Sequence, residues 1–280
     1  MGIGLWHLLR KDVGEDKAMY RRATRAGAWV TLAAALAVTV SGDLQGKVMT
    51  EVQPMKMAAA EALYTTADNH APFSLFTIGS LDGTQEKFAV TVPGLLSFLA
   101  TGHLDGRVQG INELRQSYLQ TYGGRPDALT FNASGYTPVI PVTYWSFRLM
   151  IGLGIAASLV ALGVLWSTRR DRLPRHRWWL WAAVLTPLMP VFANSFGWIF
   201  TEMGRQPWAV FGVMTTAHAV SPGVGAGTVL TSLLAFTLVY AVLAVVEVGL
   251  ILKYVRAGAD PVPEDTGPSD TPDRPLAFAY

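Results

Sequence analysis

The feature that most constrains this chain is its series of long apolar runs. Residues 23–41, 142–167, 178–202 and 228–254 are dominated by Ala, Val, Leu, Phe and Trp. Each approaches or exceeds the roughly 20 residues that carry a helix across about 30 Å of hydrocarbon. Inside a bilayer the backbone must satisfy its own hydrogen bonds, so runs of this length form helices. Only 15% of the residues are charged, against about 25% in soluble domains. The expected fold class is an all-α integral membrane protein: four transmembrane helices, an N-terminal helix stub and a large extracytoplasmic loop. Pro187 and Pro190 are expected to kink the third span. The first span, rich in Ala and Val, suits helix–helix packing more than lipid contact.

The segments between the runs differ in charge. Residues 10–26 carry Arg10, Lys11, Lys17, Arg21, Arg22 and Arg25, and residues 168–177 carry Arg169, Arg170, Arg172, Arg175 and Arg177. The last span ends in Lys253 and Arg256. The positive-inside rule assigns these segments to the cytoplasm and leaves 42–141 and 203–226 outside. Residues 1–9 read as the last turns of a helix that begins upstream. Residues 257–280, rich in Pro, Asp and Gly, read as a disordered cytoplasmic tail. A net charge of +2 gives no reason to expect nucleic acid. The chain has no cysteine, so disulfides, thiolate-bound clusters and covalently attached haem are excluded from it. A cofactor would need His, Met or carboxylate ligands. No repeat and no phosphate-binding loop is present.

Within 42–141, residues 52–66 read as a helix, 87–93 as a short extended segment entering a turn, and 120–137 as a flexible stretch. Lys56 and Glu61 are five residues apart, about 140° around an ideal helix. They would share a face only on a distorted helix, or grip a ligand from two sides. Two solvated charges on an Ala-rich helix is the plainer reading.

Four groups lie in or near the spans. Arg148 sits inside the second span with Met150, followed by Gly152 and Gly154. An Arg there costs roughly 2.5–3.5 kcal/mol on insertion scales and seeks an anion. A Met beside glycines can ligate haem iron or can simply pack. Glu202, with Trp198 and Arg205, closes the third span before Gly204 and Pro207 stop it. It is either a ligand or proton carrier, or a solvated helix end with an aromatic anchor and a snorkelling Arg. Glu247 lies deep in the last span, with Asp43 just past the first; their roles stay open. His7, His70, His103, His176 and His218 lack metal-ligand spacing and are each read as surface residues.

Three stretches, in order, resemble subunit I of the cytochrome bd-type quinol oxidases. Gln53-Pro-Met-Lys-Met-Ala-Ala-Ala-Glu61 resembles that family's quinol-binding loop. Phe147-Arg-Leu-Met150 resembles the start of the helix bearing the Met ligand of its low-spin haem. Gly197-Trp-Ile-Phe-Thr-Glu202 followed by Gly204-Arg-Gln-Pro-Trp208 resembles the haem-binding end of the next helix. The resemblance covers residues 1 to about 257, the C-terminal portion of such a subunit.

It implies that Lys56 and Glu61 contact quinol, that Met150 is an axial ligand of low-spin haem b558, and that Glu202 is an axial ligand of high-spin haem b595. Arg148, Trp198 and Arg205 would bind haem, the last two beside haem b595 and haem d or a third haem b. It further implies a prokaryotic plasma-membrane terminal oxidase of aerobic respiration, oxidising quinol and reducing oxygen to water. Expected partners are subunit II, a small single-span subunit, the N-terminal half of subunit I, lipid and quinol. That half would supply the histidine ligands, which no histidine here replaces. The chain is therefore expected to be a fragment, a split subunit or the product of a misassigned start, and inactive alone. The alternatives are a non-catalytic remnant or assembly protein, or a transporter lined by Arg148, Glu202 and Glu247.

Overall fold

The structure, a computed structural model, describes residues 1–10, 16–80, 85–124, 136–172 and 176–259. Residues 260–280 of the proposed disordered tail and most of the flexible 120–137 stretch lie outside the described residues. In chain order the helices are α1 (Gly2–Leu9), α2 (Lys17–Val52), α3 (Pro54–Glu61), α4 (Leu95–Thr101), α5 (Ile111–Tyr122), α6 (Ile140–Ser167), α7 (Trp178–Leu185), α8 (Leu188–Gly204) and α9 (Ala226–Ala257). Strands β1 (Phe73–Gly79) and β2 (Glu86–Val92) form an antiparallel hairpin, and β3 (Trp208–Val210) pairs with β4 (Met214–Thr215). The all-α expectation is corrected to this extent. The short sheets lie outside the long apolar helices, where backbone groups need not be satisfied within one helix.

Among the described residues, α2, α6 and α9 are long and apolar enough to cross a membrane, and the pair α7–α8 makes a fourth if counted as one span. That pair is bent by 49° at a break of Thr186 and Pro187. Proline lacks the N–H that would continue the hydrogen-bond ladder and its ring collides with the preceding turn. The run of residues 23–41 lies inside α2, which continues unbroken for 36 residues. Its expected packing face is not covered within the described chain: Thr24 and Ala28 are its only buried positions. Helix α9 belongs to a second unit, residues 227–280. Its described residues are apolar and exposed throughout the middle of the helix, and Glu247 shares that exposure.

The first unit, residues 1–226, has three buried clusters among its described residues: one within the segment between α2 and α6, around Met57, Leu63, Leu96 and Val108, and two at the two ends of the α6–α8 pair. At one end Leu5, Ala28, Ala161, Val164, Trp179 and Ala183 pack together. Here Arg21 donates to the Thr168 carbonyl at 2.8 and 3.1 Å, and Arg25 donates to Leu165 O and Thr168 Oγ1. Two guanidinium groups thus satisfy the carbonyls left open where α6 ends, the end that favours cations. His7 is also here. It is buried and stacked on Tyr20 at 4.4 Å, which corrects its reading as a surface residue; a short helix wedged against α2 and α7 leaves no outer face at that position. The other four histidines are exposed. At the opposite end, Met55, Ala58, Ala59, Tyr64, Ile111 and Trp208 form a second core, which joins the segment between α2 and α6 to the end of α8.

Candidate functional site

The second end brings α3, β1, α6 and α8 together. Pro54 opens α3 one residue after α2 ends, at a Gln53 with non-helical φ −137°, ψ 64°. Proline suits the first helical turn, where no N–H is needed. The helix closes at Ala62, which takes the left-handed conformation. This short helix turns Lys56 and Glu61 to different neighbours, as their angular separation requires.

Glu61 points into the protein. Its Oε2 accepts from Arg148 Nη2 at 2.6 Å and from the Ser74 backbone N–H at 3.2 Å. The two side chains are 1% and 10% exposed. The guanidinium lies over the rings of Phe73 (4.6 Å), Tyr144 (4.9 Å) and Phe147 (5.3 Å), cation–π contacts that its planar, weakly hydrated group makes readily. Burial pushes the Glu61 carboxyl up to about 7, outweighing the opposing pull of Arg148. Ser74 Oγ bonds the Tyr144 hydroxyl at 2.7 Å and Thr77 Oγ1 at 2.6 Å, so the hydroxyls beside the pair are satisfied. Arg148 Nε and Nη1 are not: both are buried with no hydrogen-bond partner.

Lys56 lies against α8 instead. Its Nζ sits 5.0 Å from the centre of the Phe200 ring. Burial lowers its pKa, Glu202 opposes this and Arg205 adds to it. Gly204 permits the approach, since a Cβ there would come within 3.0 Å of Lys56 Cγ and 3.3 Å of Thr143 Cγ2. Glu202 Oε2 accepts from Arg205 Nη2 at 2.6 Å and Nε at 2.9 Å. These side chains are 40% and 36% exposed. Arg205 also donates to Ala209 O, and Gln206 to Glu202 O. Trp208 anchors the turn beyond, stacked on Tyr136 at 5.3 Å. Trp198, one turn before Glu202 on the same face, is 62% exposed.

The structure therefore joins Glu61 to Arg148, and groups Lys56 with Glu202 and Arg205. It does not bring Glu61 to Lys56, or Met150 to Glu202. Met150 Sδ turns toward α8, 3.0 Å from where a Gly197 Cβ would stand. Asp43 forms an i,i+4 pair with Lys47 at 2.6 Å. Among the described residues no cluster of three His, Asp or Glu side chains could hold a metal ion. The contribution of Ser74, Tyr144 and Phe73 escapes sequence reasoning because they approach only through the tertiary fold.

Three features fit a haem. Thioether and carboxylate are iron-ligand types. The unpartnered N–H groups of Arg148 suit a propionate. Gly152 and Gly154 present open space, with nothing within 4 Å of an added Cβ. Against this, the Met150 sulfur is engaged in the α6–α8 contact.

The family model for cytochrome bd terminal oxidase subunit I matches residues 1–259. The chain is 37% identical to the cytochrome bd ubiquinol oxidase subunit 1 of Bacillus subtilis (strain 168), over 92% of this chain and 53% of that protein. It is 29% identical to the cytochrome bd-II ubiquinol oxidase subunit 1 of Escherichia coli (strain K12), over 92% of this chain and 59% of that protein. It thus spans little more than half the length of these curated relatives. With its membrane-crossing helices, this makes it a multi-pass plasma-membrane protein, and the chain belongs to the cytochrome bd terminal oxidase subunit I family.

Proposed function

We propose that this chain carries the quinol-oxidising end and part of the haem-binding wall of a terminal oxidase that transfers electrons from quinol to oxygen. The observation that carries the reading is Arg148: buried, paired through Nη2 with Glu61, and with Nε and Nη1 buried and lacking any acceptor. In a protein interior such groups need a hydrogen-bond acceptor. A haem propionate supplies one.

In this reading Met150 and Glu202 would supply iron ligands to haem b558 and haem b595, and Arg148, Trp198 and Arg205 would help to hold the haems. The third haem is a haem d or a further haem b. Bound there, haem supplies one-electron carriers and the place where oxygen is reduced. The remaining chemistry belongs to the chain. Glu61, with its carboxyl raised to about 7, is poised to take a proton from a quinol hydroxyl near neutral pH and release it. Lys56, its positive charge disfavoured by burial, donates to a quinol oxygen. Protonating Glu61 removes the negative charge facing Arg148 and strengthens the demand of the guanidinium for the anion opposite. Proton uptake from quinol is thereby linked to charge at the haem edge.

Subunit II, a small single-span subunit and the N-terminal half of subunit I complete the enzyme, and the isolated chain does not turn over oxygen. The basic ends of the helices face the cytoplasm, and the quinol end faces outward. The test is Met150→Leu in the assembled oxidase. The low-spin haem band in the reduced-minus-oxidised spectrum should disappear; an unchanged spectrum rules out the ligand assignment. Glu61→Gln should lower quinol oxidation while leaving that band in place.

A further inference from the structure

The β1–β2 hairpin has its polarity reversed. Cross-strand pairs Ser74–Thr91 and Thr77–Ala89 share one face, and Phe76–Val90 and Ile78–Phe88 share the other. On the first face the β1 residues Ser74 and Thr77 are buried, bonded to each other and through Ser74 to Tyr144, while Ala89 of β2 is half-buried and Thr91 exposed. On the second, Phe76, Ile78, Phe88 and Val90 are all exposed, Phe88 at 55%. A half-buried hairpin in water turns its apolar face inward and its polar face outward. Polar-in, apolar-out is the pattern of strands that face lipid.

The hairpin is also at the right depth. Helix α6 has 28 residues. Trimming it symmetrically to the roughly 20 that cross hydrocarbon leaves Tyr144 and Gly163 at the two boundaries. Phe76 meets the edge of the Trp145 ring at 5.2 Å, so its apolar face continues the surface of α6 at the level where tryptophans concentrate in membranes. It cannot go deeper, because a two-stranded sheet leaves unpaired backbone groups along both outer edges, which hydrocarbon does not tolerate.

We propose that this hairpin lies on the bilayer, with Phe76, Ile78, Phe88 and Val90 set into the acyl–headgroup boundary beside the Glu61–Arg148 pair. The occupant of this face is phospholipid. The inference rests on α6 spanning the membrane and on nothing assumed about haem or quinol.

The absence of native cysteine makes the test direct. Single substitutions Ile78→Cys, Phe88→Cys and Val90→Cys, with Lys87→Cys as the water-side reference, are spin-labelled in the assembled oxidase in phospholipid nanodiscs. The same preparation without an introduced cysteine serves as background. Collisions with dissolved oxygen should exceed those with a water-soluble nickel chelate at 78, 88 and 90, and the order should reverse at 87. Dominant nickel collisions at 78, 88 and 90 would place the face in water and overturn the proposal. Immobilised labels shielded from both reagents would mean a protein partner or a quinol tail covers it, and would overturn it equally. A label at Ile155→Cys, exposed near the middle of α6, checks the span itself; water contact there would break the membrane reading rather than the hairpin's placement.

Discussion

Two arginine–carboxylate pairs lie at the same end of the molecule with the same closest approach, 2.6 Å. Arg148–Glu61 joins positions 87 residues apart and is almost wholly buried, whereas Arg205–Glu202 joins neighbours on one helix turn and is more than a third exposed. Distance alone would rank them equal. Burial separates them, because an ion pair removed from water depends on each partner to offset the desolvation of the other. A half-exposed i,i+3 pair shares that task with solvent and contributes little. The first pair therefore cannot lose its guanidinium without leaving a buried acid unpaired. The second keeps its acid available on the face that also carries Trp198.

The largest effect should come from halving the buried pair. Arg148→Leu strands Glu61 and should destabilise the fold by about 3–5 kcal/mol, read by SDS titration in mixed micelles. Adding Glu61→Leu should recover much of the loss; if the single variant unfolds like the parent, the contrast between the pairs collapses. The next effect is a pH dependence. Glu61 titrates near 4.5 when unfolded and about 7 when folded. The folded state therefore binds the proton more tightly, and stability falls as pH rises from about 4.5 to about 7, then levels. Glu61→Gln should flatten that slope. Gly197→Ala should cost about 1–3 kcal/mol, because its Cβ would meet Met150 Sδ at 3.0 Å; Gly152→Ala, in open space, is the control and should leave stability at or above the parent. The smallest change belongs to Glu202→Gln, under about 1 kcal/mol, with loss of a high-spin haem signal in the assembled oxidase. A stability loss there as large as for Arg148→Leu would show the second pair to be structural as well.

What the sequence disclosed follows the same division. The apolar runs were legible because bilayer thickness dictates their length, and the bend at Pro187 because ring geometry is local. The extended segment 87–93 was legible as β-branched alternation, and it overlaps β2. Its partner β1 was not: Ser74-Leu-Phe-Thr77 sets two apolar residues in a row, and a bulge between Ser74 and Phe76 breaks the period. At the site, residue types were legible and their pairing was not. Glu61 with Lys56 is the natural reading along the chain, yet the fold gives Glu61 to Arg148, a contact no local pattern encodes. The plainer reading of Lys56 and Glu61 as two solvated charges fails for Glu61, which is buried, because the Ala-rich face of α3 packs inward and takes the carboxylate with it.

Helix α2 carries one further consequence. It runs without interruption from beside Arg21 and Arg25, which clasp the end of α6, to Val52, one residue short of α3. It behaves as a keyed shaft: clasped at one end, it sets the phase of whatever is fixed to the other. A single residue inserted in its exposed middle would turn α3 by about 100° and carry Lys56 out of the notch at Gly204. The length of α2 is thus fixed in whole turns, and a segment with almost no buried side chains still governs the geometry of the end that holds Lys56 and Glu61.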